Sequence, residues 1–440
     1  MSQACFSSSS RSILQEENSL VRKPGSVIIY IANLDMLVLA YGVPVKDPLH
    51  GNVVERLRAC GFAAHSLSGN AAVFLVDLPA SGASQVALDR LLERLRAAIE
   101  DRPFTCAGHR IYLQAGLDVF YLPDGSAATD VQEAFAAHRG WAPGGEQPYA
   151  AAATGSSLRS DLLQAGMLLD ALQEGALALA FQSVLRTDGA VLYHEALLRH
   201  AAPGTQDVFN LTQSIRALER TGGAARLEQC VVWTCVQLLR THPDQRLGCN
   251  VSAMSLRDTA WWRLLLDHLA HHPQVAGRLV LEIKETSGVP ASAETFELLA
   301  RLQGCGARIA IDDMGAGHST LEFLARSQAD VVKMDRNLVV HALHSPAPAD
   351  MLRKLVAACS VLCPCVVVED IETPAEFAAV RQSGARGLQG VQIQVPELKP
   401  AWLKSGQAIV ACDATAAVVP TPADGAARPA GRAGLPPLAA

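Results

Sequence analysis

The chain carries no surplus of positive charge. Lys and Arg number 37 against 43 Asp and Glu over 440 residues, a formal net charge of −6, and the pI is near 6.1. That removes the electrostatic case for nucleic-acid binding, so no DNA partner is expected. No uninterrupted apolar run of about 18 residues occurs either, so no membrane span is expected. The mean hydropathy of +0.18 comes instead from Ala, Leu and Val spread along the chain. Residues 1–23 have no basic start followed by an apolar block, so no secretory signal is expected and the location reads as cytoplasmic. Paired zinc ligands are missing as well. The eleven cysteines are odd in number and scattered through apolar runs. Cys359, Cys363 and Cys365 lie close together without a second ligand pair, and the set reads as reduced, buried thiols.

Half of the residues are apolar, enough for a sizeable core and incompatible with a wholly disordered chain. Composition divides the chain into four regions. Residues 1–25 are Ser-rich and polar and read as a flexible segment. Residues 26–148 form a smaller α/β domain, and residues 156–405 a larger one, with a joint near Gly144, Gly145 and Ala150–Ala153. Residues 413–440 are rich in Ala, Pro and Gly without periodicity and read as a disordered tail.

The larger domain alternates short β-like runs with amphipathic helical stretches. The runs are Leu177–Leu185, Val191–Arg199, Leu247–Ser252, Leu279–Glu285, Ala307–Asp313, Asp330–Asp335, Cys365–Asp370 and Gly387–Ile393. Most are continuous and apolar, as strands covered on both faces are. Eight such strands with helices between them over about 250 residues predict a (β/α)8 barrel of the TIM type. Asp188-Gly189 is a tight-turn signal, so the first two strands are expected to be antiparallel, a departure from a regular barrel.

The polar residues of these runs fall near their carboxyl ends: Glu195, Asn250, Glu282, Asp312-Asp313, Lys333, Asp335, Glu369 and Gln389. In a barrel those ends meet at one mouth. Five carboxylates crowded there would repel one another unless cations held them, and hard oxygen donors favour Mg²⁺ or Mn²⁺ over zinc. A paired-metal site with a lysine beside it suits in-line attack of water on a phosphate ester. Taken singly, each residue has an ordinary alternative, such as a helix cap, a strand-end ion pair or a lysine reaching solvent. Their convergence on successive strand ends argues for a site.

With these residues in view, the larger domain resembles the EAL domain, a family of cyclic di-GMP phosphodiesterases, over about residues 158–403. The matching motifs are Glu195-Ala196-Leu197, Asn250-Val251-Ser252-Ala253, Leu281-Glu282-Ile283-Lys284-Glu285-Thr286, Asp312-Asp313-Met314-Gly315-Ala316-Gly317, Lys333-Met334-Asp335-Arg336, Glu369-Asp370-Ile371-Glu372-Thr373 and Gln389-Gly390. The resemblance implies that Glu195, Asn250, Glu282 and Asp312 hold one Mg²⁺ or Mn²⁺ ion. Asp312, Asp313 and Glu369 would hold a second, with Asp312 bridging. Lys333 would hold or help deprotonate the attacking water, Gln389 would position water or metal, and Asp335 would support the second metal. Gln182 and Arg199 match positions that contact the dinucleotide. Glu285 matches the glutamate that anchors the loop after the fifth strand. Cyclic di-GMP as ligand, hydrolysis to linear pGpG, a homodimer through this domain and a signalling protein partner follow from the same resemblance.

Several positions depart from the family pattern. Met314, Ala316, His318 and Thr320 stand where Phe, Thr, Tyr and Ser are usual. Asp370 follows a metal-ligand position where glycine is usual, Ser183 replaces a proline, and Val391 replaces an aromatic. A catalytically weak or silent cyclic di-GMP receptor, signalling through a protein partner, is therefore the rival expectation. An interaction scaffold that binds no nucleotide is a third. The smaller domain is similar to a degenerate GGDEF (diguanylate cyclase) domain. Residues Val27–Asp35 look like its first strand and metal-binding end, with Asn33 in place of an aspartate. Ser68–Ala72 occupy the signature hairpin without its acidic pair, and Ala59–Phe62 lack the inhibitory-site motif. Cyclase chemistry, which depends on metal-held phosphates, is not expected there.

Overall fold

The computed structural model describes residues 24–66, 73–77, 84–121, 155–200, 211–257, 259–284, 292–315, 321–344, 347–403 and 409–410. The expected flexible N-terminus, the interdomain joint, the hairpin Ser68–Ala72, Glu285, and Ala316, His318 and Thr320 all lie outside them.

The first part contains a four-stranded antiparallel sheet. Strand β1 (Pro24–Ile31) lies between β3 (Val73–Asp77) and β6 (Ala115–Tyr121), with β2 (Ala64–Ser66) outside β3. A two-stranded ribbon, β4 (Phe104–Cys106) and β5 (His109–Ile111), stands apart. Val27, Ile29 and Ile31 of β1 point to one face and bury against Leu49, Val53, Leu57, Leu88, Leu92 and Leu95 of two helices, Lys46–Ala59 and Gln85–Glu100. Alternation in the strand and apolar spacing in the helices produce this layer.

The second part is a closed barrel. Its strands are β7 (Leu177–Arg186), β8 (Val191–His200), β9 (Leu247–Ser252), β10 (Leu279–Lys284), β11 (Arg308–Met314), β12 (Val331–Met334), β13 (Cys365–Val368) and β14 (Gly387–Leu388). They follow one another in order, and β14 pairs with β7 to close the ring. From β8 to β14 every pairing is parallel. Strand β7 is antiparallel to both neighbours, and the turn to β8 uses Gly189 at φ 91°. The expected eight strands and antiparallel hairpin are thus present. The sixth, seventh and eighth strands are shorter than expected, because Asp335 caps a helix, Asp370 lies beyond the end of β13 and residues 391–393 belong to a turn. A further strand, β15 (Ile409–Val410), pairs with β7 beyond residue 405.

Alternation along each strand decides what faces the helices and what faces the barrel axis. Leu279, Leu281 and Ile283, Ile309 and Ile311, Val332 and Met334, and Val366 and Val368 join the large outer core, against helices such as Ala224–Thr241 and Ala260–His271. The intervening Val280, Ala310, Val331, Cys365 and Val367 pack with Val184 and Tyr193 in a separate apolar cluster inside the ring. Two residues further along each parallel strand, the same inward row continues as Glu195, Asn250, Glu282, Asp312, Lys333, Glu369 and Gln389. On antiparallel β7 the order reverses, so Gln182 precedes Val184. An apolar plug below therefore supports a polar layer at the carboxyl ends. Among the described residues no helix is long and apolar enough to cross a membrane, and no disulfide links the described cysteines.

Candidate active site at the barrel mouth

Lys333 is the centre of the polar layer. It is 1% exposed, and its Nζ lies 2.7 Å from Glu282 Oε2, 2.8 Å from Glu369 Oε2, 3.0 Å from Glu195 Oε2 and 3.1 Å from Asp312 Oδ1. Three strands, and the residue just past the end of β13, thus each supply a carboxylate to one ammonium group. Glu195 is also fixed by amides: Asn250 Nδ2 donates to its Oε1 at 2.7 Å, and Gln389 Nε2 donates to its Oε2 at 2.6 Å. Gln389 Nε2 also reaches Gln182 Oε1 at 3.2 Å, and Gln182 Nε2 donates to the Gln394 carbonyl. Gly248 makes room for this packing. A Cβ there would lie 2.5 Å from Glu282 Oε1 and 2.6 Å from the Tyr193 ring.

The electrostatics follow from burial and crowding. Burial disfavours ionisation of Glu195 and Asp312, but Lys333 outweighs it and both pKa values fall. Burial and neighbouring Glu195 push Glu282 up to about 8. Burial and Asp312 push Glu369 well above the carboxylate range. Burial opposes the charge on Lys333, yet its four carboxylates hold the pKa well above that of an ordinary lysine. Lys333 alone cannot stabilise four ionised carboxylates, and the raised Glu282 and Glu369 carboxyls are the consequence.

Asp312, Asp313 and Glu369 offer carboxylate oxygens within 4.8 Å of one another. Asn250 Oδ1, Glu282 Oε1 and Gln389 Oε1 are buried without a hydrogen-bond partner. An all-oxygen donor set, unpartnered buried oxygens and excess negative charge fit hard divalent cations.

The other expected site residues stand further out. Arg199 is half-buried at the end of β8, where Nη1 donates to the Leu198 carbonyl. Asp335 caps the helix Arg336–Leu343 by accepting from the Asn337 amide at 2.8 Å, and its charge lies near enough to raise the pKa of Asp313, behind the effects of burial and Asp312. Met314 is buried in the outer core at the end of β11. Ser183 gives its amide hydrogen to Gln394 Oε1 at 3.1 Å, a bond that proline could not make. Lys284 has no role in the sequence reading. Its Nζ lies 3.2 Å from Asp312 Oδ2 and 3.5 Å from Asp313 Oδ2. A cation as the last residue of an apolar strand, two positions beyond Glu282, was the available signal.

Comparison with known proteins places this barrel. The chain is 25% identical over 370 residues to the bifunctional diguanylate cyclase/cyclic di-GMP phosphodiesterase MucR of Pseudomonas aeruginosa, covering 81% of this chain and 53% of that protein. It is 26% identical over 400 residues to the cyclic di-GMP phosphodiesterase NbdA of the same organism, covering 86% and 50%. The chain therefore spans about half the length of these curated relatives. A solved MucR phosphodiesterase in complex with c-di-GMP is 27% identical, with a TM-score of 0.47, over 55% of this chain and 98% of that one. The family model for the EAL domain matches residues 165–396. That stretch is more than half of the chain and includes all eight barrel strands, so the chain belongs to the EAL-domain family.

Proposed function

We propose that the barrel hydrolyses one phosphodiester bond of cyclic di-GMP to give linear pGpG, in bacterial second-messenger signalling. The observation that carries this reading is the ring of Glu195, Glu282, Asp312 and Glu369 around Lys333, with unpartnered oxygens beside it. Glu195, Asn250, Glu282 and Asp312 would hold one Mg²⁺ or Mn²⁺ ion, and Asp312, Asp313 and Glu369 a second. Such ions, when bound, neutralise phosphate charge and make water a better nucleophile. The chain's own residues orient the reactants. Lys333, kept protonated by its carboxylates, donates to the oxygen of the attacking water rather than taking its proton. Gln389 holds Glu195 and the water in place. Gln182 and Arg199 face the dinucleotide, Arg199 with a charged fork suited to phosphate. Water oxygen forms the new bond to phosphorus as the bond to the ribose 3′ oxygen breaks; of the two water protons, one ends on the released 3′ hydroxyl and the other on the new phosphomonoester or in solvent.

A second reading, a weak or silent receptor that signals through a protein partner, is favoured by Lys284, which already neutralises part of the metal-binding set. A homodimer through the barrel and a cytoplasmic location belong to the same proposal. The first part is read as a degenerate GGDEF domain without cyclase activity. Asn33 supports this: it is buried, with Oδ1 accepting from the Gln114 amide and Nδ2 donating to the Tyr112 carbonyl. An aspartate could not make the second bond, so this side chain acts as a staple.

One chromatographic experiment tests these readings. Purified protein is incubated with Mn²⁺ and either cyclic di-GMP or GTP. The expected product is pGpG from the first and nothing from the second, with pGpG abolished in Glu195→Ala while the circular dichroism spectrum is kept. Binding of cyclic di-GMP without cleavage would favour the receptor, and cyclic di-GMP made from GTP would overturn the reading of the first part.

A further inference from the structure

Lys284 is the last residue of β10. Ile283 before it belongs to the outer core, so alternation sends the Lys284 side chain to the side of the mouth. There Nζ touches Asp312 Oδ2 at 3.2 Å and Asp313 Oδ2 at 3.5 Å. The other oxygen of Asp312 is taken by Lys333 at 3.1 Å. Asp312 is therefore held between two ammonium groups. The second of these sits on the pair of aspartates that, with Glu369, brings three carboxylate oxygens within 4.8 Å of one another. The charged groups facing Lys284 are acidic on balance: Asp312 and Asp313 from β11, and Glu219 from the helix Leu211–Arg220, whose burial-raised carboxyl Lys284 draws back down. Burial opposes the charge of Lys284, but Asp312 and Asp313 outweigh it.

We infer that Lys284 is a built-in cation that takes the place of one of the two divalent ions, leaving the mouth with a single metal site. The inference rests on the metal-binding reading above and revises its second site, since Lys284 already stands on Asp312 and Asp313, where that ion would bind. A tethered ammonium needs no recruitment from solution, and a divalent ion at Asp312 and Asp313 would have to displace it against strong like-charge repulsion. The remaining site, on Glu195, Asn250, Glu282 and the shared Asp312, is also touched by Lys333 but keeps Asn250 Oδ1 and Glu282 Oε1 as buried oxygens without a donor, so it can take a cation beside that ammonium.

The test counts ions without using turnover. The full chain and the variants Lys284→Met, Lys284→Gln and Lys284→Arg are dialysed against Mn²⁺ without nucleotide, and bound metal is measured by titration calorimetry and elemental analysis. Wild type and Lys284→Arg should bind one ion. Both neutral variants should bind two, the added ion about tenfold more tightly, or better, than any second ion in wild type. Two ions of similar affinity in wild type would overturn the inference and leave the metal reading standing. One ion in every protein would also overturn it, because Lys284 would not be what excludes the second. No bound ion in any of them would overturn the metal reading, and this inference with it.

Discussion

Asp370 and Asp313 are both held in left-handed backbone, at φ 52° and 55°. Asp313 sits inside β11, where the register against β12 shifts, and Asp370 follows the end of β13. The glycine expected at position 370 is explained by that angle: a residue with a Cβ pays for the conformation, Asp less than most. The next residue is tied down, with the Ile371 amide donating to the Gln389 carbonyl and Gly390 packed against the Ile371 backbone. Asp370→Gly should therefore relieve strain, offset in part by greater freedom of the unfolded chain. The expected result is a gain of about 0.5 kcal/mol in urea unfolding. A clear loss of stability would show that the Asp370 carboxylate contributes a favourable interaction larger than the strain.

At the scale of elements, the helix Ala224–Thr241 is wedged against β9, and Glu228 marks the join. Its Oε2 accepts from Ser252 Oγ at 3.3 Å, and Ser252 also meets Ser255 at 2.9 Å. Burial outweighs these hydroxyl bonds and pushes the Glu228 carboxyl up to about 7. A carboxyl raised in the fold binds its proton more tightly than in the unfolded chain. Its contribution is fully present below the ordinary value of 4.5 and is lost as pH rises through about 7. Glu228→Gln keeps the shape and removes that slope. Between pH 5 and 8 the variant should gain stability relative to wild type, by up to about 3 kcal/mol at the alkaline end. Parallel curves of unfolding free energy against pH would show that Glu228 titrates normally in the fold.

At the scale of the molecule, the first part docks onto the barrel through buried charge. Arg263 on the helix Ala260–His271 places Nη2 2.7 Å and Nε 3.0 Å from Asp89 Oδ1, and Asp89 is buried. Arg226 meets Asp101 at 2.6 Å, and Gln114 Nε2 donates to the Thr221 carbonyl at 2.7 Å. Removing one partner of such a pair leaves a buried carboxylate without its fork. Arg263→Ala should weaken the docking by about 2 kcal/mol, discounted for the partial exposure of Arg263 and for the Gln85 amide that stays on Asp89. Faster proteolysis between the two parts, with barrel stability kept, is the expected readout. An unchanged cleavage pattern would place the docking energy in the apolar contacts instead.

The barrel and most of the residues that meet at its mouth were legible in the sequence because both obey short-range rules. Continuous apolar runs of four to ten residues mark strands covered on both faces, and a polar residue two positions beyond a small or apolar inward one marks the mouth. Val280 before Glu282, Ala310 before Asp312, Val331 before Lys333 and Val367 before Glu369 all follow that pattern. Tertiary structure decided what each side chain meets. Only ring closure brings Lys333 to four carboxylates from positions on or just past four other strands. Only the stagger of β10 against β11 brings Lys284 onto Asp312 and Asp313. The shortness of β14 was likewise hidden, since Gly387–Ile393 has the composition of a strand but its later residues turn back to bond Ile371 and Gly390. Strand periodicity is local and readable along the chain. The charge balance of the mouth depends on distances between strands far apart in sequence, and these exist only once the ring has closed.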